Sequence, residues 1–209
     1  MRKIMLCLVV LALFAGCAGR ETRSTMFVAP RTGSPVVYIH PLAGSHQAAT
    51  LGVLPFQVPE NFTPGQGARV AALFKDVLLG KRAFPVVRQL PQAYGDLDEA
   101  LARGREAGVD LVLAGRVDYA LAATELGGAR VAVSVRLLDV ASGNTVWYVE
   151  QAMDQPMDYP DSGFWNRVAE SFGIPEVRPA TGAPPVPNML AKIAVDMAEV
   201  MAGARTVSR

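Results

Sequence analysis

The sequence predicts an α+β two-layer fold: a mixed β-sheet laid down in the order β-α-β-α-β-β-β, with helices mainly on one face and a further C-terminal helix. Three observations predict it. Between Asp110 and Gln151, three runs rich in β-branched and aromatic residues are separated by the short gaps TELGG and ASGN, the signature of consecutive strands joined by hairpins. Upstream, two short apolar runs each precede a segment with helical signals, which reads as strand–helix crossovers. Downstream, Leu190, Ile193, Met197, Val200 and Met201 form one more helical stripe. A three-stranded meander has one sticky face and cannot stand alone, so the helices are expected to cover it.

Taken in order, Leu51-Gly52-Val53-Leu54-Pro55-Phe56 is a buried-strand run ended by Pro55, which cannot donate to a ladder. Thr63-Pro64-Gly65-Gln66 opens a helix, with Thr63 as cap, Pro64 in the first turn and Gln66 completing a capping box. Val70, Leu73, Phe74, Val77 and Leu78 form its apolar stripe, and Gly80 can end it. Phe84 to Gln89 is a second short strand. Asp96, followed by Glu99, starts a second helix that closes at Gly108. In the meander, the first strand is evenly apolar, as expected of a central one, and Gly115 within it signals a bulge or a close packing contact. In the second strand Val131, Val133, Val135 and Leu137 alternate with Ala132, Ser134 and Arg136, the period of a strand with one wet face.

Seven of the chain's fifteen prolines fall between Met153 and Pro187, which marks an irregular excursion. Within it Ser162, then Phe164, Trp165, Val168 and Phe172, then Gly173 read as a turn or two of helix. Asn188 is the expected cap of the last helix, with Gly203 at its end. The division is therefore residues 1–16 as a signal peptide, 17–49 as a tether and 50–209 as a single domain. That domain comprises a core at 50–151, a Pro-rich excursion at 152–187 and a C-terminal helix at 188–203. The tether is rich in Gly, Ser, Thr, Pro and Arg; only Val36-Val37-Tyr38-Ile39 in it looks able to form a strand. Fully extended it would reach about 100 Å.

Met1-Arg2-Lys3 is a positive n-region, Ile4 to Phe14 an apolar run too short for a stop-transfer span, and Ala15-Gly16-Cys17 follows. This stretch resembles a bacterial lipoprotein precursor: Phe14-Ala15-Gly16-Cys17 matches the lipobox, with Phe14 where Leu is usual. The resemblance implies cleavage between Gly16 and Cys17 and attachment of diacylglycerol and an N-acyl chain to Cys17, a covalent lipid and no other cofactor. Several acyl chains anchor stably where one would be marginal. Ala18 after the cysteine resembles the sorting pattern that sends lipoproteins to the periplasmic side of an outer membrane. A plain secretory signal is the alternative. Cys7 and Cys17 are the only cysteines, so the processed chain would have no free thiol, disulfide or thiolate metal ligand. Loss of Arg2 and Lys3 with the signal leaves 18 basic against 19 acidic side chains, a formal −1, and no electrostatic case for a nucleic-acid partner.

The candidate sites are few. Gly65-Gln66-Gly67 opens a helix after a strand, but the third fingerprint position is Val70 and no acidic residue follows the second strand where a ribose would need one. His40 and His46, the only histidines, lie six apart in the tether with no Cys, Asp or Glu beside them to complete a metal shell. No Ser/His/Asp or Cys/His arrangement can be assembled, and no carboxylate pair stands out as an acid–base couple. Asp118 lies mid-strand beside Arg116, and Asp139 reads as a turn residue bonding local amides. The expectation is no catalytic and no metal site. Trp147, Tyr148, Tyr159, Phe164 and Trp165 cluster in and after the last meander strand; they either cover the sheet or form a protein-docking patch.

From Leu51 to Gln151 the chain resembles a superfamily of envelope lipoproteins that includes the curli-secretion lipoprotein family, the penicillin-binding-protein activator lipoproteins and the TolB N-terminal domain. The matching residues are Gly52-Val53-Leu54-Pro55-Phe56, Val86-Val87, Ala107-Gly108-Val109-Asp110-Leu111-Val112-Leu113-Ala114-Gly115, and Val135 to Gly143 before Val146-Trp147. About half the chain is covered. The resemblance implies a compact sheet with helices packed on it and a non-catalytic role in envelope assembly. A pore-forming role is disfavoured, because tight hairpins leave no paired lipid-facing strands of about ten residues. The function expected is a lipid-anchored, periplasm-facing outer-membrane binding or regulatory module with another envelope protein as partner. The alternatives are a structural subunit of an oligomeric secretion or envelope apparatus and, behind it, a hydrolase.

Overall fold

The longest strands of the molecule are the three of the meander: β5 (Leu111–Leu121), β6 (Ala129–Asp139) and β7 (Thr145–Gln155), antiparallel and eleven residues each. A computed structural model describes residues 31–40, 46, 48–63, 65–121, 128–155 and 185–203. Its other elements are strands β1 (Arg31–Thr32), β2 (Val36–Ile39), β3 (Thr50–Val53) and β4 (Val86–Gln89), and helices α1 (Gln66–Gly80), α2 (Leu97–Ala107) and α3 (Pro185–Gly203). They form one mixed sheet in the order β1-β7-β6-β5-β3-β4, with β2 also on β7. β3 runs parallel to both β4 and β5.

Two parts of this differ from expectation. The segment read as tether supplies β1 and, at the one run in it that looked able to form a strand, β2, both antiparallel to β7, because an edge strand as long as β7 offers a row of unpaired backbone groups that an extended chain can satisfy. Val37 packs against the core while its neighbours face out. The last helix begins at Pro185 instead of after Asn188. Prolines are compatible with a first helical turn, whose amides have no intrahelical acceptor.

Helices α1 and α3 share one face of the sheet and bury Leu51, Val53, Leu111, Leu113, Val131, Val133, Val135, Leu137, Trp147 and Val149 under Phe74, Leu78, Ile193 and Met197. Each such fully buried Leu, Ile, Phe or Met side chain contributes roughly 1.5–3 kcal/mol. α2 lies on the other face, over Val112, Ala114, Leu138 and Val140. The chirality of crossovers accounts for this. β3-α1-β4 steps outward across the sheet and β4-α2-β5 steps back past β3, so two right-handed crossovers must place their helices on opposite faces.

Local chemistry sets the helix ends. Asp96 caps α2 by accepting the Glu99 amide at 2.8 Å, and Gly108 ends it at φ 62°. At α1 only half of the expected capping box forms: Gln66 Oε1 accepts the Thr63 amide at 3.0 Å, while the cap position is Gly65 with no side-chain bond. Gly67 is small because a Cβ there would lie 2.1 Å from the Phe56 carbonyl, and Phe56 donates its amide to the Gly67 carbonyl at 3.1 Å. That packing explains Gly67, and the left-handed φ of 82° at the helix cap explains Gly65. Gly115 likewise admits the Phe56 ring, 2.2 Å from where a Cβ would stand, while the bulge in β5 falls later, between Val117 and Tyr119.

Candidate interaction surface

α2 is too short to cover its face. Eleven helical residues span about 16 Å, whereas eleven residues of antiparallel strand span about 37 Å. Beyond α2 the sheet therefore shows its polar alternation to solvent, and strand register dictates which side chains meet there. One row across the sheet is Ala114, still buried under α2, with Arg136 and Tyr148; the next is Arg116, the buried Ser134 and Glu150; the one after is Tyr119, Ala132 and Ala152.

These residues are tied to one another. The Arg136 guanidinium lies 4.3 Å above the Tyr148 ring, and the ring of Tyr38 from β2 stacks on Tyr148 at 5.0 Å with 27° between planes. Tyr148 donates its hydroxyl to Glu150 Oε1. Bonding to Glu150, together with the charge of that carboxylate, raises the pKa of Tyr38 above the ordinary tyrosine value, and Tyr148 is raised through its Glu150 bond first and its partial burial second. Arg116 donates from Nε to Asp118 Oδ1 at 2.5 Å, which holds its pKa above the usual arginine value. Tyr94 closes the boundary with α2: its hydroxyl donates to the Gly115 carbonyl at 2.8 Å, and burial pushes its pKa up to about 12. Gln57 secures that loop by donating to the Gly95 carbonyl at 2.9 Å. The result is a flat surface in which three arginines, Arg116, Arg130 and Arg136, face Asp118, Glu150 and Asp154 among three tyrosines, Tyr38, Tyr119 and Tyr148. Tyrosine and arginine are the residues most often found at the energetic centres of protein contacts.

Of the aromatic patch read from sequence, the structure separates the first two members. Trp147 and Tyr148 are neighbours on one strand, so they point to opposite faces. Trp147 is 3% exposed in the core, its Nε1 without a hydrogen-bond partner and the His40 ring 6.2 Å away, and it cannot belong to a surface patch. Tyr148 belongs to the open face. Tyr159, Phe164 and Trp165 lie outside the described residues, as do Gly16 and Cys17. The residues missed were Tyr38, Arg136, Glu150 and Arg116. The alternation of Ala132, Ser134 and Arg136 marked a wet face, but only the register names their neighbours across the sheet.

Other polar residues have structural work. Asp110 accepts the Thr50 amide and hydroxyl at 2.7 and 2.8 Å, joining the starts of β3 and β5, and these bonds hold its carboxyl below the usual range. Asp139 accepts the Ser142 amide at 2.7 Å in the β6–β7 turn, as its position in sequence implied, and its pKa is lowered by that bond. On the dry face Gln151 is 3% exposed and donates to the Gly33 carbonyl at 2.9 Å and to Asp196 of α3 at 2.8 Å. His40 is exposed and His46 half-buried. Among the described residues no group of three or more His, Cys, Asp or Glu could hold a metal ion, and no helix is long and apolar enough to cross a membrane.

Fold and surface together define an α+β module that is dry on one side of its sheet and offers tyrosine and arginine on part of the other. No protein-family model and no curated protein sequence matches the chain. Among solved structures it is similar to the PelC dodecamer from Paraburkholderia phytofirmans, with a TM-score of 0.51 at 18% identity over 82% of this chain and 98% of that one. It is also similar to lipoprotein GNA1162 from Neisseria meningitidis, at TM-score 0.39 and 17% identity over 59% of this chain and 94% of that one. A third is the LpoB C-terminal domain from Salmonella enterica, at TM-score 0.30 and 12% identity over 53% and 86%. At 18% identity the likeness to the first of these is one of fold alone.

Proposed function

We propose that this protein is an exported lipoprotein, cleaved before Cys17 and lipidated there, that sits on the periplasmic side of an outer membrane and acts without catalysis as a binding or assembly module for another envelope protein. The observation that carries this reading is the open sheet face, where Tyr38, Tyr148, Arg136 and Glu150 are held in fixed mutual geometry with no acid–base couple or nucleophile arranged among them. The lipobox-like Phe14-Ala15-Gly16-Cys17 supplies the anchor.

The test combines two measurements on protein made in a bacterium with two membranes. Intact mass should show loss of residues 1–16 and addition of acyl chains, and the protein should fractionate with the outer membrane. A photo-crosslinker at Tyr119 should then join it to one envelope protein, and Arg136→Glu should abolish that product while leaving the mass unchanged. Recovery of the unprocessed chain from the cytosol would overturn the reading. A second reading, a structural subunit of a closed ring, is favoured by the likeness to a chain that forms a dodecamer. Light scattering on the soluble domain separates the two: a monomer supports the first and a ring the second.

A further inference from the structure

β2 is an edge strand that shows apolar side chains to solvent. A bulge between Val37 and Ile39 breaks the alternation, so Val36, Tyr38 and Ile39 are 52%, 57% and 39% exposed and only Val37 turns inward. An apolar edge of this kind is a liability unless something covers it. Resting on the lipidation proposed above, we infer that the β1–β2 edge is the membrane-facing edge of the domain, with Val36 and Ile39 seated in the lipid headgroup region.

The argument is one of lengths. Because Arg31–Thr32 and Val36–Ile39 are paired to β7, and the Gly33 amide donates to the Ala152 carbonyl at 3.1 Å, the chain is fixed to the sheet from Arg31 and not from Thr50. Only residues 18–30 remain between lipid and fold. Such a segment can reach at most about 50 Å. The opposite edge, β4, lies five strand spacings away, about 24 Å. The near edge is thus tied to the lipid through at most thirteen intervening residues, and a weak contact there is made at high effective concentration. Its chemistry suits that place, since Val36 and Ile39 offer exposed apolar area. The connecting segment carries Arg20 and Arg23 against Glu21, an excess of positive charge next to anionic headgroups.

The test uses single thiols, since the processed chain has none of its own once Cys17 is lipidated. Lipidated Val36→Cys, Ile39→Cys and Val86→Cys proteins are labelled with a polarity-sensitive fluorophore and reconstituted into vesicles of phosphatidylethanolamine and phosphatidylglycerol containing a spin-labelled quencher lipid. Val86, on the β4 edge, is the control because it is similarly exposed, at 38%. Quenching several-fold stronger at positions 36 and 39 than at 86 is expected. Equal quenching at all three positions, with acyl mass present on Cys17, overturns the edge contact and leaves the lipoprotein reading standing; absence of acyl mass overturns both. If the label at 36 or 39 in a Cys17→Ser chain becomes shielded without vesicles as protein concentration rises, the occupant is a second copy and the membrane contact is overturned.

Discussion

The two faces of the sheet follow the same alternation and end in different states. On one, α1 and α3 together cover the sheet, and the apolar side chains packed beneath them form one cluster, with Gln151 buried on the same face. On the other, the single short α2 covers only the end where Val112, Ala114, Leu138 and Val140 lie, and the remaining side chains pair with each other in water. A covered face contributes stability in proportion to the apolar area removed from water. Exposed ion pairs and stacked rings contribute little to folding, so the open face is free to be specified by what it touches. The difference teaches that helix length, set by the sequence between β4 and β5, determines how much of the sheet is available for contact.

That contrast can be broken from the dry side first. Ile193→Ala removes a side chain that is 0% exposed beneath the sheet and should cost about 4 kcal/mol in chemical denaturation. Gly104→Leu forces a side chain into the contact between α2 and the sheet, where a Cβ alone would stand 2.4 Å from Val112 Cγ2 and 2.7 Å from Val140 Cγ2. A loss of about 3 kcal/mol is expected, with increased hydrogen exchange confined to α2 if the helix lifts away. Asp110→Asn should cost about 1.5 kcal/mol by weakening the bonds to Thr50. Because the carboxyl is held below its unfolded value, its contribution is fully present above about pH 4 and fades as pH falls through the lower folded value. The mutant and wild-type stability curves should therefore converge in acid.

The smaller effects sharpen the comparison at the boundary and on the open face. Tyr94→Phe should cost about 1 kcal/mol. The wild-type advantage is present below the unfolded tyrosine value of about 10 and is lost as pH rises towards the folded value of about 12, which titration of tyrosinate absorbance would follow. Tyr148→Ala should change stability by less than about 1 kcal/mol, yet abolish the crosslink at Tyr119. A large loss of stability in that variant would show that the open face is structural and not a contact surface.

Much of the scaffold was legible from residue order. The β-α-β-α-β-β-β sequence, the Asp96 cap and Gly108 stop, the Asp139 turn and the wet side of β6 all follow from rules that act over a few residues. The open face was legible only in part. Arg136 was readable as solvent-facing, but its contact with Tyr148, and Tyr38 beyond it, depend on pairing between strands, and Tyr38 sits in a segment that reads as linker by composition. The grouping of Trp147 with Tyr148 joined residues by nearness in sequence, and strand alternation sends them to opposite sides.

By itself, then, the sequence determined the local elements and carries the lipobox-like motif, because each is written in contiguous residues. Only the tertiary structure decided that residues 31–39 join the sheet, that α2 lies opposite α1 and α3, and which side chains meet on the open face. Those outcomes depend on register, crossover handedness and the unpaired edge of β7, which are relations between segments far apart in the chain.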